Sequence, residues 1–281
     1  MVGEQKNKKM ASVVFHVFSC LLGFIMIYPL LWLVASSFKS NDTMFKNTYS
    51  LLPESWGIIK NYNSGFASTA GDSFGHFFMN SAIVTVIGVV CTIFSFLLAA
   101  YAVSRVKFFG ANFGFGCIIM TMMMPAQVMV VPQYIILKKL HLNDTLLAMI
   151  LPWAFGGAFF VFLIVQYMRG IPKELDEAAM IDGCNKGKAM WHVVIPLMRA
   201  SFVQCIFLST TRCFMVYDLN LSLTKGEPFN QSVLAAMHVY NQAFVYKNYG
   251  TGQAEALVLF IVCAVIGMLQ VYFGKKGEVA A

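Results

Sequence analysis

Six long runs of apolar residues, separated by polar segments, dominate the sequence. The runs are residues 13–38, 77–101, 113–137, 145–168, 193–217 and 256–273. A helix needs about 20 residues to cross the hydrocarbon core of a bilayer, and strands would leave backbone groups unpaired in lipid. The pattern therefore predicts an all-α, polytopic membrane protein with six transmembrane helices, forming a single transmembrane domain over residues 1–281.

The positive charges between the runs indicate the orientation. With the N-terminus inside, 12 of the 20 Lys and Arg residues fall in inside segments and 7 in outside segments. Because Lys and Arg favour the cytoplasmic side, we expect both termini in the cytoplasm and extracytoplasmic loops at 39–76 and 218–255. The first run exceeds the roughly 7–15 residues of a signal-peptide core, so a retained helix is expected, although Ala35 and Ser37 could mimic a cleavage site.

Composition agrees with lipid as the main surrounding. Charged residues make up 12% of the chain, about half the share usual in soluble domains, and the mean hydropathy is +0.68. A net charge of +7 can indicate nucleic-acid binding, but here it follows from the cytoplasmic Lys and Arg residues, and no nucleic-acid partner is expected. The seven cysteines form no metal-ligand spacing, so no metal site is expected.

The segment 169–196, between the fourth and fifth runs, is too polar to span a membrane. Pro172 suits the first turn of a helix, and the three acidic residues that follow it complement the helix dipole. Gly183 can end that helix in a left-handed cap, and a second short helix can begin at Lys186. The segment therefore predicts a helix–turn–helix elbow at the cytoplasmic surface.

The elbow carries a specific spacing. Glu177-Ala178-Ala179 is followed by Gly183, and after nine further residues come Val193, Ile195 and Pro196. This resembles the cytoplasmic signature of the membrane subunits of bacterial ABC importers, E-A-A-x-x-x-G, nine residues, then I-x-L-P, with the two aliphatic positions conservatively changed. Asp182 before Gly183 is similar to the sugar-importer version of the signature. The alternative is a generic amphipathic re-entrant loop.

The resemblance implies a type I ABC importer fold, with the elbow as a coupling helix that docks on a separate ATP-binding subunit. The implied ATPase-coupling residues are Glu177, Ala178, Ala179, Asp182 and Gly183. The implied partners are a second, homologous permease subunit, two ATP-binding subunits, an extracytoplasmic sugar-binding protein and membrane lipid, in a bacterial cell membrane. The chain itself would be non-catalytic and would bind no cofactor, since ATP and Mg would be held by the partner ATPase subunits.

A second motif within the elbow resembles a nucleotide-binding loop, but the resemblance is superficial. Residues 183–189, GCNKGKA, look like a phosphate-binding loop. However, three residues instead of four separate its glycines, Ala189 stands where Ser or Thr should hold magnesium, and the segment follows a helix instead of a strand. We therefore expect no ATP hydrolysis by this chain.

Three further stretches resemble the carbohydrate-uptake branch, and in particular the maltose-type permeases. They are residues 28–39, residues 98–105 together with Asn80-Ser81, and residues 124–134. With the elbow, the resemblance covers nearly the whole chain, and it implies translocation of a sugar or oligosaccharide. Residues 217–228 depart from the family because Lys225 and Glu227 interrupt a stretch that is often rich in glycine.

Polar residues within the runs indicate a path for the solute, because polar groups are costly in lipid and usually face a cavity or another helix. The predicted path residues are Asn80, Gln127, Gln204, Thr211, Arg212, Tyr217 and Asp218. Pro125 and Pro132 can kink the third span beside Gln127. Alternatively, Arg212 snorkels to the outer surface or pairs with Asp218 to hold a helix end.

The second long loop predicts a contact with the binding protein. Lys225, Gly226, Glu227 and Pro228 lie where related importers insert a loop into that protein, and Gly and Pro are typical of loop tips.

Other classes remain open at this point. An ion-coupled secondary transporter would need acidic residues or broken helices at mid-membrane, and Asp and Glu are nearly absent from the runs. A permease of the same ABC class for a non-sugar solute, such as glycerol phosphate, is also compatible. A membrane-embedded enzyme would need paired carboxylates, a metal cluster or a nucleophile with its base, and the sequence offers none within reach of one membrane face.

Overall fold

The computed structural model describes residues 2–46, 50–67, 73–155, 157–227 and 229–275, with side chains described from residue 10 to residue 274. The helices are α1 (Val2–Ser37), α2 (Ile58–Phe66), α3 (Phe74–Arg105), α4 (Ala111–Met122), α5 (Ala126–Lys139), α6 (Leu146–Phe155), α7 (Ala158–Gly170), α8 (Glu174–Ile181), α9 (Lys186–Ala189), α10 (Ile195–Leu197), α11 (Arg199–Phe214), α12 (Asp218–Leu223), α13 (Ala235–Tyr240) and α14 (Tyr249–Lys275). Two π-helical segments, Met190–Val194 and Asn241–Val245, extend α9 and α13. Among the described residues, extended pairing amounts to an isolated antiparallel bridge between Lys39 and Trp56, so the all-α prediction is confirmed.

The described residues contain four helical stretches that are long and apolar enough to cross a membrane. These are Met10–Ser37, Phe74–Arg105, Leu146–Gly170 and Tyr249–Gly274. Two further pairs pass the same test together: Ala111–Met122 with Ala126–Lys139, bent by 105°, and Lys186–Leu197 with Arg199–Phe214, bent by 73°. The six predicted spans are therefore present if each bent pair counts as one.

The third span is broken where the sequence predicted a kink. Pro125 is the N-cap residue of α5, in an extended conformation with ψ of 133°, and α4 ends three residues earlier at Met122. A proline disfavours helical geometry in the residue before it, so the chain leaves the helix at this point. Pro132, by contrast, lies inside α5.

The predicted fifth span, residues 193–217, begins too early. The helix that starts at Lys186 continues to Leu197 before the 73° bend, and α11 begins at Arg199. Pro196 has no N–H to donate to the carbonyl of the preceding turn, and the helix passes through the π-helical segment just before it. Residues 193–197 therefore lie before the bend, at the end of the helix that starts at Lys186.

The predicted sixth span begins too late. Helix α14 starts at Tyr249, so Glu255, which the sequence placed in a loop, lies within a candidate span. Glu255 is 1% exposed. Gly250 and Gly252 allow this polar part of the helix to pack closely, because a Cβ on Gly250 would come within 2.6 Å of the Asn61 side chain.

The chain divides into two compact units, residues 1–69 with 239–258 and residues 70–238 with 259–281. In the first unit, the buried Asn61 donates from Nδ2 to the carbonyls of Ser37 and Lys39, both at 2.9 Å. Phe45 and Tyr249 pack edge to face at 4.7 Å. Whether the two units form one domain stays a prediction.

Helix α3 is the centre of the second unit, where it packs against α6, α7 and α11. The Phe96 and Phe160 rings stack at a centroid distance of 5.8 Å. Small side chains allow the close approach of helices, and Ser81 and Ala100 on α3 are fully buried. This packing brings the ends of α3 and α7 to the base of the elbow.

Candidate functional site

The elbow consists of α8, a tight turn and α9. Gly183 has φ +87°, which costs little without a Cβ, and the N–H of Cys184 donates to the carbonyl of Ala179 at 2.9 Å. The side chain of Asn185 then caps α9 by accepting from the N–H of Lys188 at 2.8 Å. The predicted helix–turn–helix, including its left-handed glycine, is confirmed.

Four of the predicted coupling residues present their side chains or backbone to the surface of the elbow. They are Glu177, Ala178, Asp182 and Gly183, all of which are exposed. Ala179 is different, because it is 8% exposed and lies where α8 packs against α9 and the π-helical segment. The small side chain of Ala179 permits the packing of the elbow itself, and a direct contact of Ala179 with a partner stays a prediction.

The elbow also exposes apolar side chains that the sequence interpretation missed. Ile181 is 86% exposed and Met180 is 41% exposed, beside the acidic Glu177 and Asp182. The available signal was two apolar residues directly before Asp182 in a segment too polar to enter lipid. A short helix with an apolar tip and an acidic flank is suited to docking in a groove of another protein.

A second feature of the same unit is a cavity of about 800 Å³. It lies beside two interruptions of helical structure, between α4 and α5 and between α11 and α12, and is also lined by residues of α6 and α7. Irregular backbone at membrane depth is tolerated where it is buried in protein or lines a water-filled cavity. The positions of the breaks therefore favour a hydrated chamber.

The cavity wall combines polar, aromatic and methionine side chains. The polar members are Thr121, Gln127, Gln133, Thr211, Arg212 and Asp218, and the aromatic members are Trp153, Phe159, Phe160 and Tyr217. Five of the seven predicted path residues are thus brought together here: Gln127, Thr211, Arg212, Tyr217 and Asp218. The aromatic residues from α6 and α7 were missed because nothing in an apolar run distinguishes a cavity wall from a core. Gln133 was also missed, although a polar residue within the third run was an available signal.

Arg212 is the cation on this wall. Its guanidinium lies 5.4 Å from the ring centroid of Phe159 and 5.8 Å from that of Phe160, within the range of a cation–π interaction. Arg212 and Asp218 both belong to the described residues and form no ion pair with each other. The Arg212 side chain therefore lines the cavity while its guanidinium packs near two aromatic rings.

Two predicted path residues lie elsewhere. Asn80 is buried and donates from Nδ2 to the carbonyls of Gln231 and Val233, at 2.7 and 3.1 Å, so it anchors the chain before α13. Gln204 is exposed on another face of α11 and accepts from the hydroxyl of Tyr167 at 3.0 Å. Neither residue lines this cavity, and a role in the solute path stays a prediction for both.

The predicted loop tip is a tight turn. Lys225 and Gly226 have positive φ angles of 53° and 90°, and the side chains of Lys225 and Glu227 are exposed. Gly226 is buried, since a Cβ there would come within 2.6 Å of Val233, so its role is to let the turn close. Pro228 lies outside the described residues. Phe229, which the sequence interpretation missed, is 85% exposed.

Asn220 holds this turn in place. It is fully buried, donates from Nδ2 to the Thr224 hydroxyl and the Ser232 carbonyl, both at 2.9 Å, and accepts at Oδ1 from the N–H of Leu234 at 3.0 Å. One side chain thus ties together both ends of the loop.

Replacing Asn220 with leucine is expected to loosen the turn. Unsatisfied buried groups cost about 1–3 kcal/mol each, so tryptic cleavage after Lys225 should quicken by about fivefold or more through local opening. The measurement is limited trypsin digestion of the purified protein, with Gln231→Leu, at an exposed side chain, as the control. Equal cleavage rates in the two variants would contradict the role of Asn220.

The geometry defines a class of protein: a multi-pass helical membrane protein with a cavity between its broken helices and an exposed helical elbow. Residues 92–277 match the family described as "Binding-protein-dependent transport system inner membrane component". This match covers more than half of the chain, and the chain belongs to that family.

Individual relatives agree with this assignment. The chain is 39% identical over 171 residues to the probable ABC transporter permease protein YurM of Bacillus subtilis, covering 60% of this chain and 55% of the relative. The chain therefore spans about half the length of that curated relative. It is 27% identical over 264 residues to the diacetylchitobiose uptake system permease protein NgcG of Streptomyces coelicolor, covering 93% of this chain and 83% of the relative.

A solved structure shares the fold. A chain in the crystal structure of a bacterial ABC transporter involved in the import of the acidic polysaccharide alginate superposes with a TM-score of 0.79 at 20% identity. The superposition covers 94% of this chain and 97% of that chain. The expected fold of an ABC importer permease is confirmed.

Proposed function

We propose that the chain is a transmembrane subunit of an ATP-binding-cassette importer that translocates a sugar or oligosaccharide delivered by an extracytoplasmic binding protein. ATP hydrolysis takes place in two separate ATP-binding subunits, which hold ATP and Mg. A second, homologous permease completes the membrane part. Both termini and the elbow lie in the cytoplasm of a bacterial cell.

The observation that carries this proposal is the mixed acidic and apolar surface of the elbow, in a chain that belongs to this family. Its exposed face unites the acidic Glu177 and Asp182 with the apolar Ile181, which is 86% exposed. The charged flank is unfavourable in lipid, and the exposed Ile181 gains when another protein covers it. A protein groove satisfies both parts, and an ATP-binding subunit is the partner through which an importer of this kind is driven.

The cavity supports a polyhydroxylated solute. Sugars present hydroxyl groups that need hydrogen-bond partners and apolar ring faces that pack on aromatic side chains. Gln127, Gln133 and Thr211 supply the first, and Trp153 and Tyr217 the second. The volume of about 800 Å³ is within the range of small-molecule sites, roughly 300–1,000 Å³. The relatives named above also include a diacetylchitobiose uptake system permease protein.

The test is uptake by the assembled transporter, purified through a tag on this chain and reconstituted into vesicles. Radiolabelled maltotriose, arabinotriose, diacetylchitobiose and glycerol 3-phosphate are offered with the binding protein, with and without ATP on the cytoplasmic side. We expect ATP-dependent accumulation of at least one saccharide. ATP-driven uptake of glycerol 3-phosphate alone would replace the sugar with a phosphorylated solute.

A further arm tests the ion-coupled alternative. Uptake driven by a proton or sodium gradient, in vesicles that contain this chain without any ATP-binding subunit, would overturn the proposal. In that case Glu255, the acidic residue within the six candidate spans, would be the first group to substitute.

A further inference from the structure

The guanidinium of Arg105 is buried at the point where three helices end or begin. Arg105 is the last residue of α3, and its side chain is 5% exposed. Its Nη1 lies 3.0 Å from Oδ2 of Asp176, a residue in the first turn of α8. The Asp176 side chain is 19% exposed. This contact is an ion pair whose alignment falls short of a hydrogen bond.

The same guanidinium closes the end of α7. Its Nη2 donates to the carbonyls of Met168 and Ile171, at 2.8 and 2.9 Å. The last carbonyls of a helix have no partner within the helix, and a cation is favourable at this negative end of the dipole. Asp176 is likewise favourable at the positive end of α8. One side chain thus joins the C-terminal ends of α3 and α7 to the start of the elbow.

Neighbouring contacts reinforce this junction. The Tyr101 hydroxyl, one turn earlier on α3, donates to the carbonyl of Lys186 in the second elbow helix at 3.4 Å. Ser104 Oγ lies 3.0 Å from the sulfur of Met168. Both elbow helices are therefore connected to α3, while the tip at Ile181 remains exposed.

We propose that Arg105 is a positioning residue that makes the elbow, α3 and α7 one rigid body. The inference rests on the proposed function, in which the ATP-binding subunit moves the elbow. Helix α3 packs against α11 and α6, and both of these helices contribute to the cavity wall. If the junction is rigid, a displacement of the elbow also moves the cavity wall. Rigid-body motion of packed helices is an established way of transmitting such a change.

Arginine is the side chain that this junction requires. Its planar guanidinium can contact Asp176 and the two carbonyls at the same time, whereas the ammonium of lysine is a single point charge. Removing one partner of a buried pair leaves an uncompensated charge and is strongly destabilising locally. Arg105→Gln should therefore free the elbow, and Arg105→Lys should have an intermediate effect.

The experiment measures the distance between the elbow and α3 in the assembled transporter. Nitroxide labels carried on non-natural residues at Lys188, which is exposed on α9 of the elbow, and at Leu98, which is 46% exposed on α3, are compared by pulsed electron resonance with and without AMP-PNP and Mg. Wild type is compared with Arg105→Gln, Arg105→Lys and, as the matched control, Lys107→Gln, which removes an exposed cation two residues away. ATP hydrolysed per molecule of saccharide taken up is measured in the same preparations.

Wild type and Lys107→Gln are expected to give one narrow distance distribution that AMP-PNP does not change. Arg105→Gln should broaden it and, with AMP-PNP, shift it by about 1–5 Å, the scale of helix shifts in such transitions. Uptake per ATP should fall about tenfold, as expected for the loss of coupling between two sites. A residue with a merely structural role would lower the yield and leave the distance and this ratio unchanged.

A narrow, wild-type distribution in both Arg105→Gln and Arg105→Lys would overturn the inference. If Arg105→Gln does not assemble, Arg105→Lys decides, with a distribution broader than wild type expected. A third outcome separates the two proposals. If the distance distribution broadens in Arg105→Gln without nucleotide, and AMP-PNP changes the distance in none of the variants, the rigid junction is supported and the docking of the elbow on an ATPase is contradicted.

Discussion

Replacing Glu177 with arginine is expected to abolish uptake while the chain still folds and inserts. Glu177 is exposed on α8, so the substitution disturbs little within the chain. It reverses a charge at the proposed ATPase interface, where loss of a charge pair costs about 2–5 kcal/mol, which corresponds to about 30-fold or more in affinity.

The measurement is co-purification of the ATP-binding subunits with the tagged chain, together with uptake normalised to the amount of chain. Glu174→Arg is the matched control, because Glu174 is also exposed in the first turn of α8. It places the same unfavourable charge at the same end of the helix but lies outside the E-A-A spacing. If the Glu177 and Glu174 variants retain ATPase and transport equally, the coupling role of Glu177 is wrong.

Replacing Arg212 with methionine is expected to slow uptake by about tenfold or more, because a hydrogen bond to a charged group contributes about 1.5–3 kcal/mol. Methionine keeps an unbranched side chain against Phe159 and Phe160 but removes the cation and its donors. Arg212→Lys keeps the charge and should retain part of the activity.

The initial uptake rate is measured over a range of binding-protein and saccharide concentrations. Gln204→Met is the control, because Gln204 lies on the same helix but outside the cavity, and wild-type rates are expected for it. Normal uptake by Arg212→Met would mean that the cation serves only to pack against the two rings, and the cavity would lose its principal polar group.

The elbow was predictable from sequence because each of its parts has a local cause. Acidic residues favour the first turn of α8, Gly183 supplies the positive φ, and Asn185 starts the next helix. What the sequence could not decide was which of two adjacent alanines faces outward. Ala178 is exposed and Ala179 buried because α8 packs on α9, and a helix of 8 residues is too short to display that face as a periodicity.

The cavity was only partly predictable, because polar residues in apolar runs have two possible roles. Arg212 and Gln127 line the cavity, whereas Asn80 satisfies carbonyls 151 and 153 residues away in the chain. Long-range partners of this kind leave no local pattern. Glu255 was misplaced for a related reason. The polar start of α14 is buried within the first unit, where Glu255 and Gly250 lie against Gly65 and Asn61, so the hydrophobic run begins later than the helix.

The most direct test of the account is to identify what the tip of the elbow touches in the assembled particle. A photoreactive amino acid is placed at Ile181, 86% exposed on the elbow, and at Leu52, 78% exposed in the first loop. Irradiation of membranes should join Ile181 to an ATP-binding subunit and leave Leu52 free of that product. Crosslinking of Ile181 to no ATPase, or its labelling by a membrane-impermeant reagent from outside the cell, would contradict the importer assignment.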